Sequence, residues 1–200
     1  MESFLKIYLP VYLLLYLAAA FILPSYRTWK QTGINPVTFG KKDTAHNYIG
    51  FVMKLLIVLL LTAVLLFSFS GKIYNYLLPA YYLQNKTLCI IGLILIHIAL
   101  LWIIIAQYQM SNSWRIGIDE VNKTELVTSG VFSISRNPIF FGMIVTTWGL
   151  FLILPNAMTF FIAAATYFII QIQIRLEEEF LERQHGSHYK TYKKTTRRLI

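Results

Sequence analysis

The sequence contains little charge and almost no cysteine. Of its 200 residues, 14% are charged and 56% are apolar, against roughly 25% and 45–50% in soluble domains. This composition excludes an ordinary soluble domain and indicates a chain that faces lipid. Cys89 is the only cysteine. A disulfide framework within the chain is therefore excluded, and no CxxC pair or His/Cys cluster indicates a zinc site.

The sequence contains several long apolar runs. Three of them cover residues 4–23, 48–69 and 88–106, and each is close to the roughly 20 residues that a helix needs to cross a bilayer. A fourth region, residues 139–174, is split by Pro155-Asn156. Its halves of roughly 16 residues, each about 24 Å long at the helical rise, predict a tight hairpin of short spans. The first run is too long for a secretory signal and is predicted to be a membrane helix.

Basic residues outnumber acidic ones, 18 to 9, and they cluster in three segments. With five spans these segments share one side of the membrane, which the positive-inside rule assigns to the cytoplasm, with the N-terminus outside. Basic residues at an interface attract anionic lipid, so the net charge of +9 gives no reason to expect nucleic acid as a partner. The residues are Arg27, Lys30, Lys41, Lys42, Arg115, Lys123, Arg136 and the set from Arg175 to Arg198.

These patterns predict an all-α integral membrane protein with about five transmembrane helices. Residues 1–106 would hold the first three spans, with an irregular cytoplasmic loop over 25–47. Residues 107–200 would hold a functional segment, the helical hairpin 139–174 and a cytoplasmic amphipathic C-terminal helix ending near Gly186. We therefore expect any chemistry in the second half.

Two ionisable residues interrupt the apolar runs. Lys54 lies about two turns from the cytoplasmic end of its predicted helix, so we interpret it as a lysine whose charge snorkels to the interface. His97 lies in the middle of its run, and we interpret it as a neutral imidazole hydrogen-bonded to a neighbouring helix.

Several residues of the second half suit a charged, partly aromatic ligand. Arg136 lies two residues before Pro138, where backbone donors and a guanidinium at one helix N-terminus would favour an anion. Gly130 and Gly142 allow close approach of backbone or ligand. Aromatic walls for a ring would come from Trp114, Phe132 and Phe140. Glu177 and Glu178, where the last span meets water, would bind an ammonium group or ribose hydroxyls.

The order of these residues forms a motif. Leu-Val-Thr-x-Gly-Val-Phe-x(3)-Arg-Asn-Pro covers residues 126–138, and after the hairpin Glu-Glu-x-x-Leu-x(4)-Gly-x-x-Tyr-x-x-Tyr covers 177–192. Over residues 114–199 the chain resembles the isoprenylcysteine carboxyl methyltransferase family and the related membrane phospholipid methyltransferases. The resemblance implies S-adenosylmethionine as cofactor and a lipophilic substrate that enters between helices from the bilayer.

The resemblance also implies roles for individual residues. Gln173 stands at the place of a substrate-orienting arginine of the family. From the residues themselves we predict that Arg136 or Arg175 is the catalytic residue that orients an anionic acceptor, with Arg175 as the candidate to replace the family arginine. Asn137 stands where eukaryotic members have His, and Phe132 and Phe140 stand where Tyr is common. The cofactor-binding residues would be Glu125, Leu126, Val127, Phe132, Asn137, Pro138, Phe140 and Glu177, with Glu178 beside it.

Three functions fit the sequence. The first is methyl transfer from S-adenosylmethionine to the carboxylate or amine of a membrane-embedded substrate. The second is an NADPH-dependent reductase of a lipid or steroid double bond, and the third is a non-enzymatic protein that binds lipid or a membrane partner. The sequence leaves open the methyl acceptor and the oligomeric state.

Overall fold

The computed structural model describes residues 1–40, 43–122 and 124–200, and its regular elements there are helices, with isolated bridges but no strands. Lys41, Lys42 and Lys123, three of the residues used above to orient the chain, lie outside the described residues. The all-α prediction is confirmed for the described part. The helices are α1 (Glu2–Leu17), α2 (Leu23–Thr32), α3 (Ala45–Phe69), α4 (Gly71–Tyr74), α5 (Lys86–Met110), α6 (Pro138–Ile153), α7 (Ala157–His185) and α8 (Ser187–Thr195).

A π-helical turn, Ala18–Ile22, joins α1 to α2. Pro24 has no N–H to donate to the Ala20 carbonyl one turn earlier. Gln107 of α5 replaces the missing donor, with its Nε2 2.6 Å from that oxygen. The missing N–H of Pro24 therefore accounts for both the change of helical pitch and the hydrogen bond from α5.

The predicted loop over residues 25–47 is partly wrong. The first helix continues to Thr32 and ends at Gly33, whose φ of 70° is left-handed. Arg27 and Lys30 suggested a polar loop, but both residue types are good helix formers. Within the described residues, the irregular connection therefore covers only residues 33–40 and 43–44.

Among the described residues, four helical segments are long and apolar enough to cross a membrane: Glu2–Thr32, Ala45–Phe69, Lys86–Ser113 and Ala157–His185. Only the first half of the predicted hairpin is short, because α6 has 16 residues and α7 has 29. The charged residues after position 174 do not start a new helix. They continue α7 to Gly186, whose φ of 54° ends it as predicted, and α8 follows.

Glycine brings α5 and α6 into close contact. A Cβ at Gly92 would lie 2.6 Å from the Gly149 carbonyl oxygen, and one at Gly142 would lie 2.5 Å from Ile103 Cγ1. Small residues let membrane helices approach this closely. Gly142, which the sequence suggested for ligand approach, therefore serves helix packing.

Contacts between loops show that the long helices alternate in direction. At one end, Ala80 N donates to Pro155 O (2.9 Å). At the other, Ile116 N donates to Pro36 O (2.8 Å) and Arg136 N donates to Arg197 O (2.9 Å). The connection after α2, the segment between α5 and α6, and the C-terminal residues therefore share one end, which we call the basic end.

His97 links α5 to α1. Its Nδ1 lies 2.6 Å from the Leu93 carbonyl oxygen, and its Nε2 lies 2.6 Å from the Tyr8 hydroxyl. Because a carbonyl only accepts, Nδ1 carries a proton and a neutral ring accepts from Tyr8. The interpretation of His97 as an imidazole bonded to a neighbouring helix is confirmed.

Candidate functional site

A cavity of about 390 Å³ lies near the basic end, within the size range of small-molecule sites. Most of the residues predicted from the sequence line it. They are Glu125, Leu126, Val127, Phe132, Arg136, Asn137, Pro138, Phe140 and Glu177. The structure therefore brings together residues that are more than 50 positions apart.

The first half of the chain forms the opposite wall. The sequence predicts any chemistry in the second half and does not predict this wall. The residues there are Ala20, Phe21, Val37, Phe39, Ile49, Gly50, Met53, Lys54 and Ile57. Nearly all are apolar, so no sequence pattern separated them from lipid-facing neighbours. Lys54 was the one residue of the set that the sequence had singled out.

The segment between α5 and α6 is held by a compact turn. Arg115 Nε lies 3.0 Å from Asp119 Oδ2, and Asp119 Oδ1 accepts from the backbone of Val121 (3.1 Å) and Asn122 (2.9 Å). Burial alone would raise the pKa of Asp119, but the hydrogen bonds from Asn122, Arg115 and Val121 outweigh it and hold the pKa below its usual value. This turn precedes the residues from Thr124 to Val127 that line the cavity.

Phe132 is fixed by a short 3-10 turn, Gly130–Ser133. Val131 N donates to Gln109 Oε1 (2.9 Å), and the Tyr192 hydroxyl donates to the Phe132 carbonyl (2.5 Å). Gly130 has φ 63°, and a Cβ there would lie 2.3 Å from the Gln109 side chain. The glycine of the motif is therefore needed for close approach, here to a side chain of α5.

Arg136 and Glu178 form a buried ion pair, with Arg136 Nη2 2.6 Å from Glu178 Oε1. Arg198 binds the other oxygen of Glu178 at 2.7 Å. Arg136 also donates to the carbonyls of Lys193 and Thr196, but its buried Nε has no partner among the described residues. Glu178 does not line the cavity. Its carboxylate joins α7 to the start of α6 and to residues 193–200, which we call the C-terminal strap.

Glu177 has different surroundings. Its Oε1 accepts from Gln173 Nε2 at 2.8 Å, and both side chains line the cavity. Gln173 Oε1 is buried without a partner in the described structure. The two residues together leave acceptor oxygens available to a ligand.

Arg175 is not brought to the cavity. Its side chain is exposed, and its guanidinium donates to the Gln171 carbonyl one turn earlier at 2.5 Å. Residues two apart on a helix face different directions, so Arg175 does not occupy the place of Gln173. Its predicted role in orienting the acceptor has no support in this arrangement.

Fold and cavity together define a membrane protein of long helices with a ligand-sized site near one end. The model of the phospholipid methyltransferase family matches residues 87–188, half of the chain. The chain therefore belongs to the phospholipid methyltransferase family, and the resemblance seen in the motifs is confirmed at that level. The match covers nearly all of α5, all of α6 and all of α7. A comparison with curated proteins finds no significant match.

Proposed function

We propose that the protein transfers a methyl group from S-adenosylmethionine to the carboxylate or amine of a lipophilic substrate in the membrane. Family membership supports a membrane methyltransferase. The finer proposal rests mainly on Glu177. Its carboxylate lines a largely apolar cavity, and its one hydrogen-bond partner among the described residues is Gln173. The subtype related to the isoprenylcysteine enzymes stays a prediction.

The residues present fit this cofactor. Its ammonium and sulfonium groups are cationic, and the cavity has carboxylates at Glu177 and Glu125. Its adenine needs flat apolar contacts, which Phe132 and Phe140 supply. The Gln173 side chain lies beside His46; its Oε1 has no geometric hydrogen bond among the described residues and can accept one from a ligand.

The proposed mechanism requires little covalent chemistry from the protein. S-adenosylmethionine supplies a methyl group that its sulfonium has already activated. Glu177 would bind the ammonium group, Phe132 would fix the ring, and the apolar walls would exclude water. Alignment of donor and acceptor then provides most of the rate enhancement. Arg136 has a buried Nε without a partner among the described residues, but its charge is already paired with Glu178.

The proposed orientation has the N-terminus outside and the active site on the cytoplasmic face. It is supported by the position of the cavity near the basic end, where Arg27, Lys30 and Arg115 also lie. The positive-inside rule places such an end in the cytoplasm.

Titration of detergent-solubilised protein tests this function. Isothermal titration should give a binding signal with S-adenosylmethionine and none with NADPH. Phe132→Ala should weaken S-adenosylmethionine binding at least about tenfold, equivalent to roughly 1.4 kcal/mol. His97→Ala removes a side chain outside the cavity and should leave the affinity unchanged.

Each alternative gives a different result. Binding of NADPH alone would favour the reductase, and binding of neither cofactor would favour the non-enzymatic protein. Equal losses in Phe132→Ala and His97→Ala would indicate general unfolding and contradict a specific role of Phe132.

A further inference from the structure

Lys54 lies on the cavity wall within a spanning helix. It follows the start of α3 by nine residues, about 13 Å along the helix axis. Its side chain is exposed, and it shares the cavity face of α3 with Gly50, Met53 and Ile57. The snorkelling interpretation explained only how its charge avoids lipid, whereas the structure shows that the residue also lines the cavity.

The other cations that the structure describes on the cavity wall are paired with carboxylates of the protein. Arg115 pairs with Asp119 at 3.0 Å, and Arg136 pairs with Glu178 at 2.6 Å. In the part of the chain that the structure describes, neither an ion pair nor a hydrogen bond engages Lys54 Nζ. The carboxylates that share the cavity, Glu125 and Glu177, are not within ion-pair distance of it.

An unpaired ammonium beside apolar walls is costly unless an anion neutralises it. Ionisable residues in membrane helices usually pair with one another or with a ligand. The neighbouring walls, formed by Met53, Ile57, Ile103 and Met143, suit hydrocarbon rather than a soluble anion. The ligand that satisfies both features has an anionic group attached to an apolar chain.

We propose that Lys54 binds the anionic group, a phosphate or a carboxylate, of the lipophilic acceptor. This inference rests on the proposed methyltransferase function and adds a specificity residue that lies outside the part of the chain matched by the family. Arg175 lies away from the cavity and Arg136 is paired with Glu178. Among the cations that the structure describes on the cavity wall, Lys54 is therefore the one without an ion-pair partner that could select an acidic amphiphile.

The test is lipid binding to the full-length protein in detergent, measured by native mass spectrometry. The probes are dioleoyl phosphatidate, oleate and uncharged dioleoylglycerol. Lys54→Gln should lower the affinity for at least one anionic probe by about tenfold or more and leave dioleoylglycerol binding unchanged. Lys54→Arg, which keeps the charge, should retain binding. Lys30→Gln removes a charge of the basic end outside the cavity and is the matched control.

The two anionic probes distinguish the sources of charge. A loss for phosphatidate alone assigns a phosphate, and a loss for oleate alone assigns a carboxylate. Unchanged binding of both would overturn the inference. So would an equal loss for dioleoylglycerol, or an equal loss in Lys30→Gln, which would indicate general attraction of anionic lipid to the basic end.

A parallel titration with S-adenosylmethionine separates this inference from the proposed function. Lys54→Gln should keep the wild-type cofactor affinity. If Lys54→Gln loses affinity for S-adenosylmethionine and keeps its affinity for lipid, Lys54 contributes to the cofactor site and the inference is wrong. If the wild type binds no S-adenosylmethionine, the proposed function fails, while the lipid measurements still decide the role of Lys54.

Discussion

At the scale of single residues, Glu177 and Glu178 show how two adjacent carboxylates acquire different roles. Successive helical residues point about 100° apart. Glu177 therefore faces the cavity, while Glu178 faces Arg136 and Arg198. The sequence assigned both to the cofactor, but the surroundings of Glu178 favour a structural role.

Isosteric amides separate the two carboxylates. Glu177→Gln should weaken S-adenosylmethionine binding at least about tenfold, because it removes the charge that would face the ammonium group. Glu178→Gln should instead destabilise the fold, since removing one partner of a buried pair costs roughly 3–5 kcal/mol. The Arg198 side chain is 36% exposed, so we expect about 3 kcal/mol, the lower part of that range.

Isothermal titration and thermal unfolding in one detergent measure the two effects. The assignment would be reversed if Glu178→Gln lost cofactor affinity at unchanged stability while Glu177→Gln bound normally. If both variants bind S-adenosylmethionine as the wild type does, this part of α7 does not contribute to the cofactor site. A main reason for preferring a methyltransferase would then be lost.

At the scale of elements, the C-terminal strap holds the start of α6. Arg136 N donates to Arg197 O at 2.9 Å, and Asn137 Nδ2 donates to Arg198 O at 2.9 Å. The Arg-Asn-Pro motif is thus fixed by residues some 60 positions later. This explains why its side chains serve the fold as well as the cavity, which a local pattern does not reveal.

The glycine contact between α5 and α6 gives a prediction for packing. Gly92→Ala places a Cβ 2.6 Å from the Gly149 carbonyl oxygen, and overpacking of this kind costs about 1–3 kcal/mol. The variant should unfold at a lower temperature than the wild type, as measured by thermal denaturation in detergent.

Gly71→Ala is the control for that substitution. Gly71 opens the short helix α4, and a Cβ there would meet nothing within 4 Å. Equal unfolding temperatures for Gly92→Ala and Gly71→Ala would show that α5 and α6 do not pack as closely as described.

At the scale of the whole molecule, the alternating helices support a test of topology. Lys86 is the first residue of α5, at the end opposite the cavity, and Lys194 lies in α8 at the basic end. Cys89 is the only native cysteine and is buried, so single cysteines can be introduced with Cys89→Ala as background. An impermeant thiol reagent should label the Lys86 position from outside and the Lys194 position only after the membrane is opened.

The opposite labelling would invert the proposed orientation. The helices α5, α6 and α7 lie between the two positions. Labelling of both positions from the same side would contradict an odd number of membrane crossings between them. It would exclude an arrangement in which α5, α6 and α7 are all full spans. Because α6 has only 16 residues, its crossing of the membrane is the part of the topology that this experiment tests most directly.

The sequence by itself determined the all-α class, the long apolar runs and many of the second-half residues that line the cavity. These depend on local properties, namely hydrophobic length, proline, left-handed glycine and a motif of fixed spacing. It did not reveal that α2 continues to Thr32, that Glu178 binds Arg136, or that Lys54 lines the cavity. Only the tertiary structure decided these points, because the face that a helix turns toward its neighbours depends on packing between residues far apart in the chain.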